Sequence, residues 1–482
     1  MSYSREVLIG STIWKLFERM SSQVVSFVVS ILLARILLPE QYGIIAILLI
    51  FINIANVIVE GGLNTALIQK KNADNVDFST ILYVSLILAA FLYILLFFLA
   101  PLIAKFYENE MLVPLLRVLS LNLFFNSFNS VQRAYVSKYM LFRKLFVSSF
   151  GAVVLSGILG IFMACNGFGV WALVGQQLAS QIATSCIMWF TIKWRPMAIF
   201  SYERFKQLFD YGWKIFVTNF IIVMYGNIRG LIIGKMYSPT SLAYFERGKS
   251  LPALFMENIN SSIQTVLLPA FADQQDDRVR VKLMMKRSIK LNCFVTFPLL
   301  VGLFVVAESL VGVLLTEKWM LAVPFIRIFS IAYMFLPMQI ANLEAIKALG
   351  YSNTTLKLEI VKKSIEAIIL ILSFMINVYA VAWGIVVYNV ISLLINLSPN
   401  TKLLNYSYSE QLKDIFPLVS ASLLMGGITW SIYCFQFNIY ITLVLQLFVG
   451  GLSYFLFSKL LKVDSLEYII DIIKRTKINS NR

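Results

Sequence analysis

Residues 79–104 read STILYVSLILAAFLYILLFFLAPLIA, with no charged side chain anywhere in the run. Crossing roughly 30 Å of hydrocarbon takes about 20 such residues in a helix. Lipid admits only helices or closed barrels, because each backbone N–H and C=O must find its partner inside the protein. Barrel strands are about ten residues long and alternate between two faces, so a run this long and uniformly apolar is a helix.

The pattern recurs along the chain. Of its 482 residues, 59% are hydrophobic and 14% charged. A soluble core of that length has no use for so much apolar surface, whereas lipid-facing helices accept it all round. A window of about 19 residues places fourteen spans, at 10–37, 41–60, 79–104, 112–132, 145–165, 169–192, 211–236, 242–268, 289–315, 323–345, 357–377, 379–397, 412–433 and 437–458. Pro39, Pro114, Pro239 and Pro324 fall at or near span ends, where proline is tolerated, and Asn166-Gly167 is a turn signal before the sixth span. The fold class is all-α integral membrane, with about 14 transmembrane helices.

A net charge of +16 suggests nucleic acid, but the basic residues are scattered over short loops with no recognition module between them. Topology accounts for them better. With the N-terminus inside, most of the 41 Lys and Arg residues fall on the inner face, among them Lys70, Lys71, Arg143, Lys144, Arg280, Lys286, Lys362 and Lys363. The outer side receives Arg35, Lys105, Lys235, Arg247, Lys249 and Lys318, while Arg19, Arg117, Arg229 and Arg327 lie within spans. That asymmetry predicts cytoplasmic N- and C-termini. The opening MSYSREVLIG lacks the pattern of a cleaved signal, so the first span is expected to be retained. Cys165, Cys186, Cys293 and Cys434 are scattered in apolar segments and the chain has no histidine, so neither a metal site nor a disulfide framework is expected. Residues 463–478 place Leu466, Ile469, Ile470, Ile472 and Ile473 near one side of a helix. That segment reads equally as an amphipathic helix on the inner membrane surface and as a solvated tail.

The chain also resembles itself. Trp14-Lys15-Leu16-Phe17 is matched by Trp213-Lys214-Ile215-Phe216, Arg35 and Pro39 by Lys235 and Pro239, and Thr65-Ala66-Leu67 by Thr265-Val266-Leu267. The longest match pairs Pro114-Leu115-Leu116-Arg117-Val118-Leu119-Ser120 with Pro324-Phe325-Ile326-Arg327-Ile328-Phe329-Ser330. Spans one to six therefore resemble spans seven to twelve. An even number of spans per copy gives both copies the same orientation, an arrangement that suits alternating access. The expected organisation is an N-lobe at 1–195, a C-lobe at 196–400, two further spans at 401–460 and a cytoplasmic tail at 461–482.

An ion in hydrocarbon costs about 2.5–3.5 kcal/mol on insertion scales, so intramembrane charges face a cavity or a partner. Arg19 is the leading cavity cation. Arg229 is a second, with snorkelling or local pairing as its equal alternative. Arg117 and Arg327 occupy equivalent repeat positions, where snorkelling or capping a lobe is favoured over contact with substrate. Arg247 and Lys249 suit either an anionic exit site or an interfacial anchor beside Tyr244. Arginine binds diphosphate through its planar fork of donors. Glu257, Glu366 and Glu60 are the acids able to take a coupling proton or cation, against a structural ion-pair role. Asn227, Asn258, Asn260 and Gln264 suit either helix contacts or sugar hydroxyls. No bound cofactor is expected; a proton or sodium gradient is the candidate energy source.

Leu33-Ala34-Arg35, Leu38-Pro39 and Tyr42-Gly43, followed by Leu231-Ile232-Ile233-Gly234-Lys235, Leu242-Ala243-Tyr244-Phe245, Arg247-Gly248, Leu267-Leu268-Pro269-Ala270 and Gln275-Asp276-Asp277, resemble the polysaccharide-transporter branch of the multidrug/oligosaccharidyl-lipid/polysaccharide exporter superfamily, the Wzx-type flippases of capsule, O-antigen and teichuronic acid pathways. The resemblance implies a MATE-like V-shaped fold of two six-helix lobes plus two C-terminal helices. It also implies a bacterial inner-membrane flippase carrying an undecaprenyl-diphosphate-type oligosaccharide between leaflets, with membrane lipids, a polysaccharide polymerase and chain-length machinery as partners. Many relatives have Asp where this chain has Arg229, so an acid-dependent role is not carried over to that position. The alternatives are a multidrug or organic-cation exporter on the same fold, a peptidoglycan-precursor flippase and, from another class, a membrane polysaccharide polymerase or glycosyltransferase. The short outer connections and the lack of an outer DxD disfavour the last.

Overall fold

A computed structural model describes residues 5–468, with side chains at 5–9, 12, 16, 258 and 261–265 outside the description. The helices in chain order are α1 (Arg5–Ile36), α2 (Pro39–Glu60), α3 (Leu63–Gln69), α4 (Asn75–Tyr107), α5 (Leu112–Leu119), α6 (Asn122–Lys138), α7 (Phe142–Cys165), α8 (Val170–Thr191), α9 (Tyr202–Met236), α10 (Pro239–Asp273), α11 (Arg278–Leu314), α12 (Val323–Met334), α13 (Leu336–Ala348), α14 (Ser352–Phe374), α15 (Val378–Leu403), α16 (Tyr408–Ser431) and α17 (Ile439–Leu460). No strand occurs among the described residues. The segment 79–104 is the body of α4. Asp74 starts that helix by accepting hydrogen bonds from the N–H groups of Val76 and Asp77, and Pro39 sits in the first turn of α2, where its missing N–H costs nothing.

Ten helical stretches among the described residues are long and apolar enough to cross a membrane, which makes this a multi-pass membrane protein. Four expected spans are helical but do not reach that measure: α5–α6, α8, α10 and α14. They are the polar ones. Asn122, Asn126, Asn129, Gln132 and Arg133 interrupt α6, three glutamines lie in α8, and Lys357, Glu359, Lys362, Lys363 and Glu366 lie in α14. Phe98, Phe162, Phe190 and Phe448 are exposed, as lipid-facing side chains are. In water such a display would be an aggregation hazard.

The chain divides into two compact units, Met1–Ala243 and Tyr244–Arg482. In unit 1, α1 packs on α7, α7 on α8, and α2 on α4, α6 and α9. The turn between α2 and α3 needs Gly62, whose φ is +66° and whose missing Cβ would lie 2.2 Å from the Gly212 carbonyl oxygen of α9. Gly43 lets α2 approach the Pro239 backbone just as closely. The core of this unit gathers Leu63, Leu67, Phe78, Ile81, Val131 and Met188. In unit 2, α11 is the hub, packing on α12, α13, α16 and α17, while α15 holds α12, α13 and α14. Its core gathers Phe271, Met285, Ile289, Met338, Tyr406 and Leu418.

Candidate functional site

Arg117 and Arg327 make the same contact in their own units. The Arg117 Nε–H donates to the Phe97 carbonyl oxygen at 3.3 Å, and its guanidinium lies 4.0 Å from the centre of the Phe97 ring. The Arg327 Nε–H donates to the Phe304 carbonyl oxygen at 3.3 Å, beside the Phe304 and Trp430 rings, and its Nη2 meets Glu308 Oε2 at 3.2 Å. Each ties a short helix, α5 or α12, to the long helix before it.

The two units also share an amide stitch. In unit 1 the Asn129 amide donates to the Gln181 carbonyl oxygen at 3.1 Å and accepts from the Ser185 hydroxyl at 2.8 Å. In unit 2 the Gln339 amide donates to the Asn389 carbonyl oxygen at 2.9 Å and accepts from the Ser392 hydroxyl at 2.9 Å. Buried amides must be satisfied this way, since an orphaned polar group costs about 1–3 kcal/mol.

Unit 1 adds a charged cluster between α2 and α6. Asn126 is buried, and its Nδ2 donates to Asn56 Oδ1 at 3.0 Å and Glu60 Oε1 at 3.3 Å, while its Oδ1 accepts from Arg133 Nη2 at 2.8 Å. The carboxylates of Glu60 and Glu18 act on Arg133 electrostatically, so α1 contributes to the same field. A guanidinium has five N–H donors. Among the described residues one side-chain hydrogen bond, to Asn126, holds Arg133, which leaves donors for an incoming oxyanion.

Glu60, a coupling candidate, is thus in the cluster, half-buried at the end of α2. The other sequence-predicted residues lie on helices other than α2 and α6. Arg19 is exposed on α1; Arg229 and Asn227 are partly buried on α9, where the Asn227 Nδ2 donates to the Val223 carbonyl oxygen at 2.7 Å. In unit 2, Arg247 stacks 5.1 Å over Trp319 and Lys249 meets Glu246 at 3.5 Å, so both are engaged locally. Glu257 is exposed on α10. Glu366 is buried on α14 and takes an ion pair from Lys363 at 2.9 Å. Asn258 and Gln264 lie outside the residues whose side chains are described.

Sequence reasoning missed Arg133, Asn126 and Asn56. The signal was present in Asn122, Asn126, Asn129, Ser130 and Arg133, which recur at helical spacing through an otherwise apolar segment. Arg133 directly follows the expected span end, so it read as one more inner-face base.

Residues 32–324 match the family described as polysaccharide biosynthesis protein. The teichuronic acid biosynthesis protein TuaB of Bacillus subtilis is 25% identical over 58% of this chain and 58% of its own length. The succinoglycan biosynthesis transport protein ExoT of Rhizobium meliloti is 24% identical over 66% of this chain and 65% of its own. The matched stretches thus span less than two thirds of those two relatives. Among solved structures, the lipid II flippase MurJ in an inward closed conformation superposes with a TM-score of 0.73 at 17% identity, covering 95% of this chain and 100% of that one. An inward-facing MATE family multidrug resistance transporter of the MOP superfamily gives 0.59 at 15% identity, covering 82% and 99%. At these identities the likeness is one of fold, and it is the MATE-like fold that the sequence motifs imply.

Proposed function

This chain belongs to the polysaccharide biosynthesis protein family, and from that membership we propose that it is a flippase moving a polyprenyl-diphosphate-linked oligosaccharide from the cytoplasmic to the outer leaflet of a bacterial inner membrane by alternating access. Diphosphate and sugar cannot cross hydrocarbon unaided, whereas the prenyl tail never has to leave it. The relatives named for teichuronic acid biosynthesis and for succinoglycan transport support a glycan as the cargo.

The observation that carries the proposal is the Arg133 cluster. A cation partly withdrawn from water, oriented by Asn126 and balanced electrostatically by Glu60 and Glu18, is suited to exchange its contacts for a diphosphate. With both termini cytoplasmic, Arg133 lies about one and a half turns from the inner end of α6, at the level where a head group from the cytoplasmic leaflet would enter. Arg19 and Arg229 would extend the positive path. Glu60, hydrogen-bonded to the same Asn126, is the acid placed to sense the exchange and so to couple it to a proton or sodium gradient. A polymerase and chain-length machinery would act on the product.

In cells that lack the endogenous transporter, lipid-linked repeat units should accumulate on the cytoplasmic leaflet, and expression of this chain should make them accessible to an impermeant periplasmic probe. Repeat units that stay inaccessible with the chain present in the membrane would refute the assignment.

A further inference from the structure

The first turns of α11, residues 278–290, read RVRVKLMMKRSIK, with six bases and no acid. Leu283, Arg287, Lys290 and Leu291 share one face at helical spacing. Beside that face opens a cleft of about 320 Å³, closed on its other side by Asp464, Ser465 and Tyr468, which follow α17. The neighbouring charges do not cancel. Lys282 pairs with Glu410 at 2.7 Å, Lys286 with Asp414 at 2.8 Å, and Lys290 with Asp464 at 2.7 Å and Asp414 at 3.6 Å. Arg287 has no carboxylate partner among the described residues. Its guanidinium lies 3.9 Å from the centre of the Tyr468 ring and the residue is exposed. Among the described residues, the surplus positive charge of the cleft therefore resides on Arg287. Apolar side chains bracket this rim: Leu291 one turn further along α11, and exposed Leu283 one turn nearer its start. Cation and apolar wall at adjacent turns match the boundary between head groups and acyl chains.

We propose that this cleft is a binding site for the phosphate of an anionic membrane phospholipid, with Arg287 as its principal contact and an acyl chain lying along Leu291. The site is separate from the Arg133 cluster and depends on the functional proposal only for the orientation that puts residues 278–290 on the inner face. Basic pockets between membrane helices on that face suit anionic head groups, and each base near the surface contributes about 1 kcal/mol, or roughly fivefold in affinity.

Binding is measured without transport, so its failure is distinguishable from failure of the flippase assignment. The full chain, purified and stripped of lipid, is titrated with phosphatidylglycerol, with phosphatidylcholine and with inorganic phosphate, following bound lipid by native mass spectrometry and the thermal midpoint. Saturable phosphatidylglycerol binding is expected, weakened about fivefold by Arg287→Gln and unchanged by Arg280→Gln, which lies outside the cleft. Equal phosphatidylglycerol affinity in Arg287→Gln and the parent chain would overturn the proposal. So would an equal loss in Arg280→Gln, which would mean diffuse attraction, or an equal stabilisation by inorganic phosphate, which would mean a free-anion site.

Discussion

In unit 1 an arginine of α5 lies against Phe97 of α4, and in unit 2 the matching arginine of α12 lies against Phe304 of α11. The amide stitches of Asn129 and Gln339 fall at the same displacement along the chain and join α6 to α8 and α13 to α15. Moved by that displacement, however, Asn126 falls on Leu336 and Arg133 on Leu343. The duplicated contacts are those that hold helices together; the charged cluster is confined to unit 1. A feature kept in both copies is accounted for by packing. A partly buried cation in one copy alone costs stability and needs another justification, which is why the cluster, and not the better-bonded Arg117 or Arg327, is assigned to the cargo.

The sharpest way to break this contrast is to give unit 1 the residue of unit 2. Arg133→Leu should insert and fold, yet slow transfer of a lipid-linked oligosaccharide by roughly ten- to a hundredfold, the worth of about 1.5–3 kcal/mol for hydrogen bonding to a charged group. Initial rates in proteoliposomes measure it. Arg19→Ala should slow transfer less, by about tenfold or under, with normal membrane insertion; an unchanged rate would remove Arg19 from the path.

The duplicated arginine contacts give the opposite signature. Arg117→Ala and Arg327→Ala should each lower stability by about 1–2 kcal/mol through the lost carbonyl bond and ring contact, read as similar drops in thermal midpoint. A large drop for one and none for the other would break the equivalence of the repeats.

The smallest effect concerns the start of α4. The Arg204 guanidinium bonded to Asp74 holds that carboxyl below its ordinary range. A depressed folded-state pKa stabilises the protein at pH values above the ordinary carboxylate pKa of about 3.9, and the benefit disappears as pH falls through the lowered value. Asp74→Asn should therefore melt slightly below the parent chain at neutral pH, and the difference should close in acid. A gap that persists at low pH would assign Asp74 a purely geometric role as helix cap.

The membrane class, the repeat and the special status of positions 117 and 327 were legible because they reside in runs of letters: uncharged stretches, and a motif written twice. The cluster was not, because it is made across helices. Glu60 was recognisable as an acid near a span end, but its bond to Asn126 and the approach of Glu18 depend on how α1, α2 and α6 pack, which periodicity does not encode. Hydropathy also treats α6, α8, α10 and α14 as weaker spans, since a window averages the polar face of a helix with its apolar one.

Transfer between leaflets tests the central claim most directly. With the chain reconstituted in liposomes and a fluorescent polyprenyl-diphosphate oligosaccharide in one leaflet, the parent protein should equilibrate the lipid between leaflets while Arg133→Leu leaves it largely where it began. A lipid that stays in its starting leaflet with the parent chain, or that moves equally fast with Arg133→Leu, would contradict the account.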